Sequence, residues 1–416
     1  MKRFLHGHAT HPDPGVAMAL AAAQIDAQRH EHGRADAPTL GWLYITDHCV
    51  PQAEALLADA RRRWPGTQWV GASGVGISAS GVEYFDEPAV SLLLGELPRE
   101  QFRVFSGARP LGEFDAYTAN VHADPGTNDL AELIDDLSTR TRARYLFGGL
   151  ASGRSRALHI ADAVLDGGVS GVAFGPEVAI VSRVTQGCQP VGPRRIVTAA
   201  DRNVITTLDD APALDALLSD VGLTGVEPRA ALSRLRQILV GLGSEDDEAD
   251  QRSAFDSLSR PRGSFGTDTR VRHLIGLDPG RRGIAIADVA EVGTPLTFGE
   301  RHVDAARRDL VRICAEVREE VEPEELPLAT ALARRDASNV DALHGAGSGI
   351  AGAIYVSCAG RGGAHFGAAS AELAIVRHAL GDVPLAGFFA AGEIARRHLY
   401  GYTGVLTVFR DNGDAG

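Results

Sequence analysis

Apolar and polar positions alternate along this chain in short runs, and the runs change period several times. From Val16 to Gln28 the apolar residues recur at helical spacing in an Ala-rich stretch, with Asp13-Pro14-Gly15 as a start signal, which predicts a helix. Trp42 to Thr46 reads as a buried strand, Ala53 to Arg63 as an amphipathic helix, and Trp69-Val70 enters a second strand that ends in the turn-like stretch Gly71-Ala72-Ser73-Gly74-Val75-Gly76-Ile77. Ala89 to Leu94 gives a further strand. The same order returns near the C-terminus: strand Ile354 to Ser357, helix Ala371 to Leu380, strand at Leu385, a glycine-rich turn over Gly387 to Ile394, and strand Val405 to Phe409.

This recurrence predicts a divergent internal repeat. It puts the Gly71 turn on the Gly387 turn, Cys49 near Cys358, and Ile77 where the second copy has Glu393. Between the copies, Arg144 to Ala151 reads as a strand into a glycine pair. Gly168 to Phe174 and Glu177 to Arg183 read as a hairpin, and Arg195 to Thr198 and Val204 to Leu208 as another pair. After a short helix at Ala213 to Ser219, a lobe boundary is expected near Gly222. Residues 244–262 carry an acidic run and have the composition of an exposed loop. Short strands at Arg272 to Leu277, Ile284 to Val289 and Leu296 to Phe298 precede a helix over Asp304 to Glu319.

The expected fold class is therefore mixed α/β (α+β): two pseudo-repeated lobes, 1–222 and 223–416, of mixed β-sheet flanked by helices, for which a layered α-β-β-α sandwich is one arrangement. A chain of 416 residues exceeds what one core usually holds.

Composition then removes classes of function. A formal net charge of -13 disfavours nucleic acid and anionic membranes as partners. Lys2 is the only lysine, which excludes Walker A loops, pyridoxal phosphate Schiff bases, kinase strand lysines and Ser-x-x-Lys acylases. The Arg-for-Lys usage fits a GC-rich, bacterial genome. The four cysteines, Cys49, Cys188, Cys314 and Cys358, lie far apart with no C-x-x-C pair, so neither a zinc site nor a disulfide framework is expected. His6, His8, His11, His30 and His32 fit no metal-binding spacing, and no metal or cofactor is implied. The N-terminus has no apolar signal core and no stretch reaches the roughly 18 apolar residues of a membrane span, so a cytoplasmic location is expected. Gly347-Ser348-Gly349-Ile350-Ala351-Gly352 matches G-x-G-x-x-G in letters but leads into a strand instead of a helix, and reads as a loop.

The candidate chemistry gathers at two strand ends. One is Ala353 to Gly363, a strand ending in Cys358 and Arg361 among glycines; the other is Gly387 to Glu393. If these ends are neighbours, Cys358, Arg361 and Glu393 share a pocket. Arg361 offers a forked donor set for a carboxylate, and equally for an internal pair with Glu372 or Glu393. Glu393 can accept an amine or a hydroxyl, or cap turn amides. Cys358 is a candidate nucleophile or a structural thiol; its base is not fixed by sequence, with His365, His378 and His398 nearby in the chain.

These motifs resemble a known family. Cys358-x-x-Arg361-Gly362, Phe366-Gly367, Glu372, Gly387-Phe388-Phe389 and Gly392-Glu393-Ile394 resemble the C-terminal half of the FIST domain, the F-box and intracellular signal transduction family. Val70-Gly71-Ala72-Ser73, Gly148-Gly149-Leu150-Ala151, Gly187 to Pro193 and Val197 to Leu214 resemble its N-terminal half, with departures at Ile77 and Asp210. The resemblance implies a sensory module that binds a small ligand, an amino acid or small carboxylate, in signal transduction. The expected site comprises Cys358, Arg361, Gly362, Gly387, Phe388, Gly392 and Glu393, with Ser73 and Gly149 from the other lobe. A stand-alone sensor with a separate signalling partner protein is the favoured expectation. An enzyme using Cys358 for acyl transfer or hydrolysis is the alternative.

Overall fold

The computed structural model describes residues 2–29, 35–226, 234–235, 237–243, 269–321 and 349–411. Residues 30–34, the acidic run at 244–262, and Gly347 and Ser348 of the glycine loop lie outside these. The chain forms two compact units. The first comprises Met1–Thr185, Arg307–Leu399 and Thr403–Gly416; the second comprises Gln186–Ala306 and Tyr400–Tyr402. Gly222, expected at a lobe boundary, lies inside the second unit.

In chain order the first unit begins with strand β1 (Leu5–Thr10), helix α1 (Pro14–Gln28), β2 (Leu40–Thr46), α2 (Ala53–Arg63), β3 (Gln68–Gly74), the hairpin β4 (Gly76–Ala79) and β5 (Val82–Phe85), and β6 (Ala89–Gly95). Asp13 caps α1 by accepting from the Gly15 amide at 2.8 Å. A second series follows: β7 (Phe102–Phe105), β8 (Thr118–Ala123), α3 (Leu130–Thr139), β9 (Leu146–Leu150), β10 (His159–Ala161), β11 (Val164–Leu165) and β12 (Val169–Phe174). Strand β13 (Ile180–Gln186) leads into the second unit.

The second unit contains β14 (Cys188–Pro190), β15 (Arg195–Asp201), β16 (Val204–Leu208), the two-residue β17 (Ala211–Pro212), α4 (Ala213–Asp220), β18 (Ile238–Leu242), β19 (Arg270–Asp278), β20 (Gly283–Ile286) and β21 (Pro295–Arg301). Antiparallel pairing runs β21-β15-β16-β20-β19-β18 and returns from β18 to β21, closing a barrel. Val197, Ile205, Val240, Ile284, Leu296 and Phe298 fill its core together with Ala213 and Leu217 of α4.

Helix α5 (Val303–Val321) leads back to a third series: β22 (Ile350–Cys358), α6 (Ala371–Leu380), β23 (Leu385–Ala390), β24 (Glu393–Arg396), β25 (His398–Tyr400) and β26 (Thr403–Arg410). The expected helices at 16–28, 53–63, 213–219, 304–319 and 371–380 are all present. The expected hairpin of 168–174 with 177–183 is not: β12 joins the sheet of β7 and β8, whereas β13 pairs with β26. The stretches read as glycine turns are mostly strand. Gly71 and Gly387 lie within β3 and β23, and the reversals come later, before Gly76 and before Glu393.

The three sheets of the first unit have one topology. Their orders are β1-β6-β2-β3-β10-β11, β7-β12-β8-β9-β24-β25 and β13-β26-β22-β23-β4-β5. In each, a central strand (β2, β8 or β22) has a parallel neighbour reached through a helix and an antiparallel neighbour on its other side. The hairpin after each parallel strand joins another copy's sheet: β4-β5 extends the third sheet, β24-β25 the second, and β10-β11 the first. The repeat expected from sequence is thus threefold, with the hairpins exchanged around a ring.

Helices cover the outer faces. Leu43, Ile45, Val90 and Leu92 pack with Ala17, Ala21, Leu56 and Leu57 of α1 and α2, and Val121, Leu146 and Leu150 pack with Ile134 of α3. The inner faces meet in aromatic contacts, Tyr44 stacking on Phe388 at 5.3 Å and Trp42 lying 5.4 Å from Phe409. Buried polar groups thread this core: Trp42 Nε1 donates to Asn120 at 3.1 Å, and Tyr44 Oη lies 3.1 Å from His122 Nε2. No helix among the described residues is long and apolar enough to cross a membrane.

Candidate functional site

Parallel strands place their carboxyl ends side by side, and ligands of α/β proteins commonly bind there. In the third copy Cys358 on β22 stands opposite Ala390 on β23, and the Ala359 amide donates to the Ala390 carbonyl at 2.8 Å. The two strand ends expected to be neighbours are neighbours. The loop beyond them is enlarged: residues 359–370 separate β22 from α6, twice the length of 47–52 and of 124–129 in the other copies. Arg361 enters on this loop.

Arg361 is buried and faces Glu372, at the first turn of α6, which is also buried. Its Nε and Nη2 donate to Glu372 Oε1 at 3.0 and 2.8 Å, and Nη1 donates to the Thr185 carbonyl at 3.3 Å. Tyr355 Oη donates to the same Oε1 at 2.7 Å, and Ser357 Oγ lies 3.1 Å from both carboxylate oxygens. The Phe366 ring lies 5.3 Å from the guanidinium carbon. Burial works against the charge on Arg361, but the Glu372 carboxylate more than offsets it and holds the pKa above its ordinary value. The fork that sequence offered to a ligand carboxylate is filled from within.

Glu393 opens β24 and is fully buried. Its Oε2 accepts from the Thr403 hydroxyl at 2.6 Å and the Thr403 amide at 3.1 Å. Its Oε1 is buried without a nitrogen or oxygen donor. Burial pushes the carboxyl up to about 7, against the Thr403 hydrogen bonds, the Arg361 charge and the nearby Cys358 thiol. Cys358, Arg361 and Glu393 therefore do share one cluster. Cys358 is half-buried, whereas Cys49, Cys188 and Cys314 are buried.

A second raised carboxyl lies nearby. Glu83, on the exchanged strand β5, accepts from the Gly363 amide at 3.1 Å, and its own amide donates to Ser370 Oγ at 3.0 Å. Burial and the Glu372 charge push it up to about 7, opposed by the amides of Gly363, Leu373 and Glu372. Sequence reasoning passed over Glu83 because nothing in Val82-Glu83-Tyr84-Phe85 shows that the strand caps a helix almost 300 residues away. Tyr355, Thr185 and Thr403 were missed for the same reason.

The glycines of the expected site serve close packing. A Cβ at Gly387 would lie 1.8 Å from the Tyr355 carbonyl oxygen; at Gly149, 2.8 Å from the Ala390 and Val356 side chains; at Gly362, 2.1 Å from the Phe85 ring. Phe388 is fully buried against Tyr44. Ser73 Oγ accepts from the Leu158 amide at 3.0 Å and donates to the Ser152 carbonyl at 3.1 Å, a bridge between the first and second copies. Ser152 Oγ in turn donates to the Phe389 carbonyl at 2.5 Å and accepts from the Val75 amide at 2.9 Å, so it touches all three copies.

Strand register aligns Ile77, His159 and Glu393, each opposite the residue that follows the conserved-geometry glycine of its partner strand: Phe388, Ala72 and Gly149. The Ile77 and Glu393 equivalence expected from sequence holds. Thr46 is the register equivalent of Cys358, with Cys49 three residues further on. Among the described residues the third junction brings a half-buried thiol to a buried guanidinium and two buried carboxyls, whereas at the first junction Cys49 is buried and Asp47 pairs with Arg154 at the surface. Among the described residues no group of three His, Cys, Asp or Glu side chains is placed to hold a metal.

The first unit is thus a threefold-repeated α/β scaffold with a buried ionisable cluster at one strand-end junction. The FIST N domain matches residues 39–211 and the FIST C domain matches residues 231–396. The chain belongs to the FIST family, whose domains are sensory domains of signal transduction. Relatives described as uncharacterized proteins include one from Mycobacterium tuberculosis, 31% identical over 97% of this chain and 99% of the relative. Another, from Mycobacterium bovis, is 32% identical over 94% of this chain and 96% of the relative.

Proposed function

We propose that this protein is a cytoplasmic sensor that binds a small ligand at the carboxyl ends of β22 and β23 and passes the signal to a partner protein. The observation that carries the reading is the Glu393 carboxyl. Buried polar atoms are normally satisfied, yet Glu393 Oε1 is buried without a nitrogen or oxygen donor. A ligand amine or hydroxyl supplies that donor. Because Glu372 fills the Arg361 fork, the ligand is read through its amine, as in the ammonium group of an amino acid, more than through a carboxylate. Cys358, Ala359, Gly360 and Gly362 are half-exposed and form the approach. Arg361, Gly387, Phe388, Gly392, Ser73 and Gly149 hold the frame around it.

The test is thermal unfolding of the protein against a panel of amino acids and small amines. A ligand at 100 times its Kd stabilises by about 2.7 kcal/mol, and Glu393→Gln should lose most of that shift while remaining folded. An equal shift in the variant, or no shift with any amine, would count against the reading. Arg361→Ala is unsuitable as the binding probe, because stranding a buried Glu372 costs on the order of 3–5 kcal/mol of fold stability.

A further inference from the structure

The pairing of a half-exposed thiol with a buried carboxyl has a chemistry of its own, which needs no bound amine. Of the four cysteines only Cys358 is not buried, and it sits at the mouth of the enlarged loop 359–370. Its thiol lies near enough to the Glu393 carboxyl to hold that group's pKa down against burial. That carboxyl is fully buried, and its Oε1 has no hydrogen-bond partner, which leaves that oxygen open to a proton. The other groups facing Glu393 are Arg361 from the loop and Thr403 from β26. The register equivalents in the other copies, Thr46 with Ile77 and Asp124 with His159, have neither member of the pair.

We propose that Cys358 is a covalent capture site for soft carbon electrophiles of the α,β-unsaturated carbonyl class, with Glu393 as the proton acceptor. The Sγ–H bond breaks and its proton passes to the Glu393 carboxylate. The sulfur electron pair forms the bond to the β-carbon, and the C=C π pair moves onto the carbonyl oxygen as an enolate. Glu393 returns the proton to the α-carbon and ends as carboxylate. Atoms and charge balance with no oxidant or reductant. Thiolate is the attacking form, and Glu393, pushed up to about 7, is poised to accept a proton near neutral pH. Arg361 favours return to the carboxylate after each transfer.

The test uses N-ethylmaleimide on the intact protein, read by intact and peptide mass at pH values from 5.5 to 9. One adduct per chain is expected, on Cys358, with Cys49, Cys188 and Cys314 unlabelled. The rate should rise through about pH 7 and fall at least about tenfold at that pH in Glu393→Gln; Cys358→Ser should take no adduct. Labelling spread over the buried cysteines, or an unchanged rate in a folded Glu393→Gln, overturns the assignment. Should that variant melt early, the parent protein still decides: a rate midpoint at the ordinary thiol value of about 8.5 overturns it as well.

Discussion

Glu393 ties the pH response of the fold to one side chain. Its carboxyl titrates at an ordinary 4.5 when free and at about 7 in the fold. The folded state thus keeps a proton that the unfolded state releases between those values. The stability linked to that proton is fully present below pH 4.5 and is lost as pH rises through 7, by on the order of 3 kcal/mol. Glu83, raised to about 7, acts in the same direction. His122 opposes them: burial, and then the charge of His159, depress it to about 3, so its contribution grows as pH rises toward 6.5. Comparing Glu393→Gln with the parent isolates one member of this set. Melting curves from pH 5 to 8 should show the variant gaining relative stability as pH rises, whereas curves that stay parallel would mean the carboxyl does not titrate in that window.

At the scale of elements, the parallel pairs explain what was legible in the sequence. The first and third copies show themselves through long apolar strands, Trp42 to Thr46 and Ile354 to Ser357, each followed by a helix with a clear apolar face. The second copy hides its central strand. Thr118–Ala123 turns Asn120 and His122 into the core, where they meet Trp42 and Tyr44, and an inward Asn and His erase the apolar signature that marks a buried strand. Its helix α3 (Leu130–Thr139) was not read, and of its strands those at Gly148-Gly149 and at Gly168 to Phe174 were visible, the latter with the wrong partner. The Cys358, Arg361 and Glu393 cluster was legible because strand ends and glycines mark it. Of the groups that complete it, Glu83 arrives on the exchanged hairpin β4-β5 and Thr185 and Thr403 on β13 and β26, strands brought in from far along the chain, tertiary facts with no local pattern.

The same register makes a glycine necessary in each copy. A Cβ at Gly71, Gly148 or Gly387 would fall 1.9, 1.9 or 1.8 Å from the carbonyl oxygen of Leu43, Val121 or Tyr355, the residue paired with it on the parallel neighbour. The contact is with backbone, so no rotamer relieves it and the strands must part. Gly148→Ala should therefore destabilise by about 1–3 kcal/mol through overpacking, seen as a lower urea midpoint. A midpoint within error of the parent would show that the strands separate without cost.

For the whole molecule, a division into 1–222 and 223–416 cuts across the ring of exchanged hairpins. The first fragment keeps β4-β5 without β23 and keeps β9 without β24. Residues 1–222 alone should show no cooperative unfolding by the fluorescence of Trp42, Trp64 and Trp69, and adding 223–416 should restore it. A sharp transition in the isolated fragment would show that the FIST N and FIST C regions fold independently. The barrel unit, inserted between β13 and α5, interrupts the third copy in sequence while leaving its β13-β26 pairing in place.

Consider one copy by itself, cut free of the other two. Its hairpin would reach outward with no sheet to extend, and its own parallel strand would wait for a hairpin it cannot make. Two more identical chains would satisfy both needs, each giving to one neighbour and receiving from the other in a closed cycle. This protein is, in that sense, a trimer written as a single gene. Covalent linkage frees the three junctions to drift apart in sequence, so that Cys358 and Glu393 stand where the other copies have Thr46 and Ile77 or Asp124 and His159, an asymmetry that no assembly of identical subunits can reach.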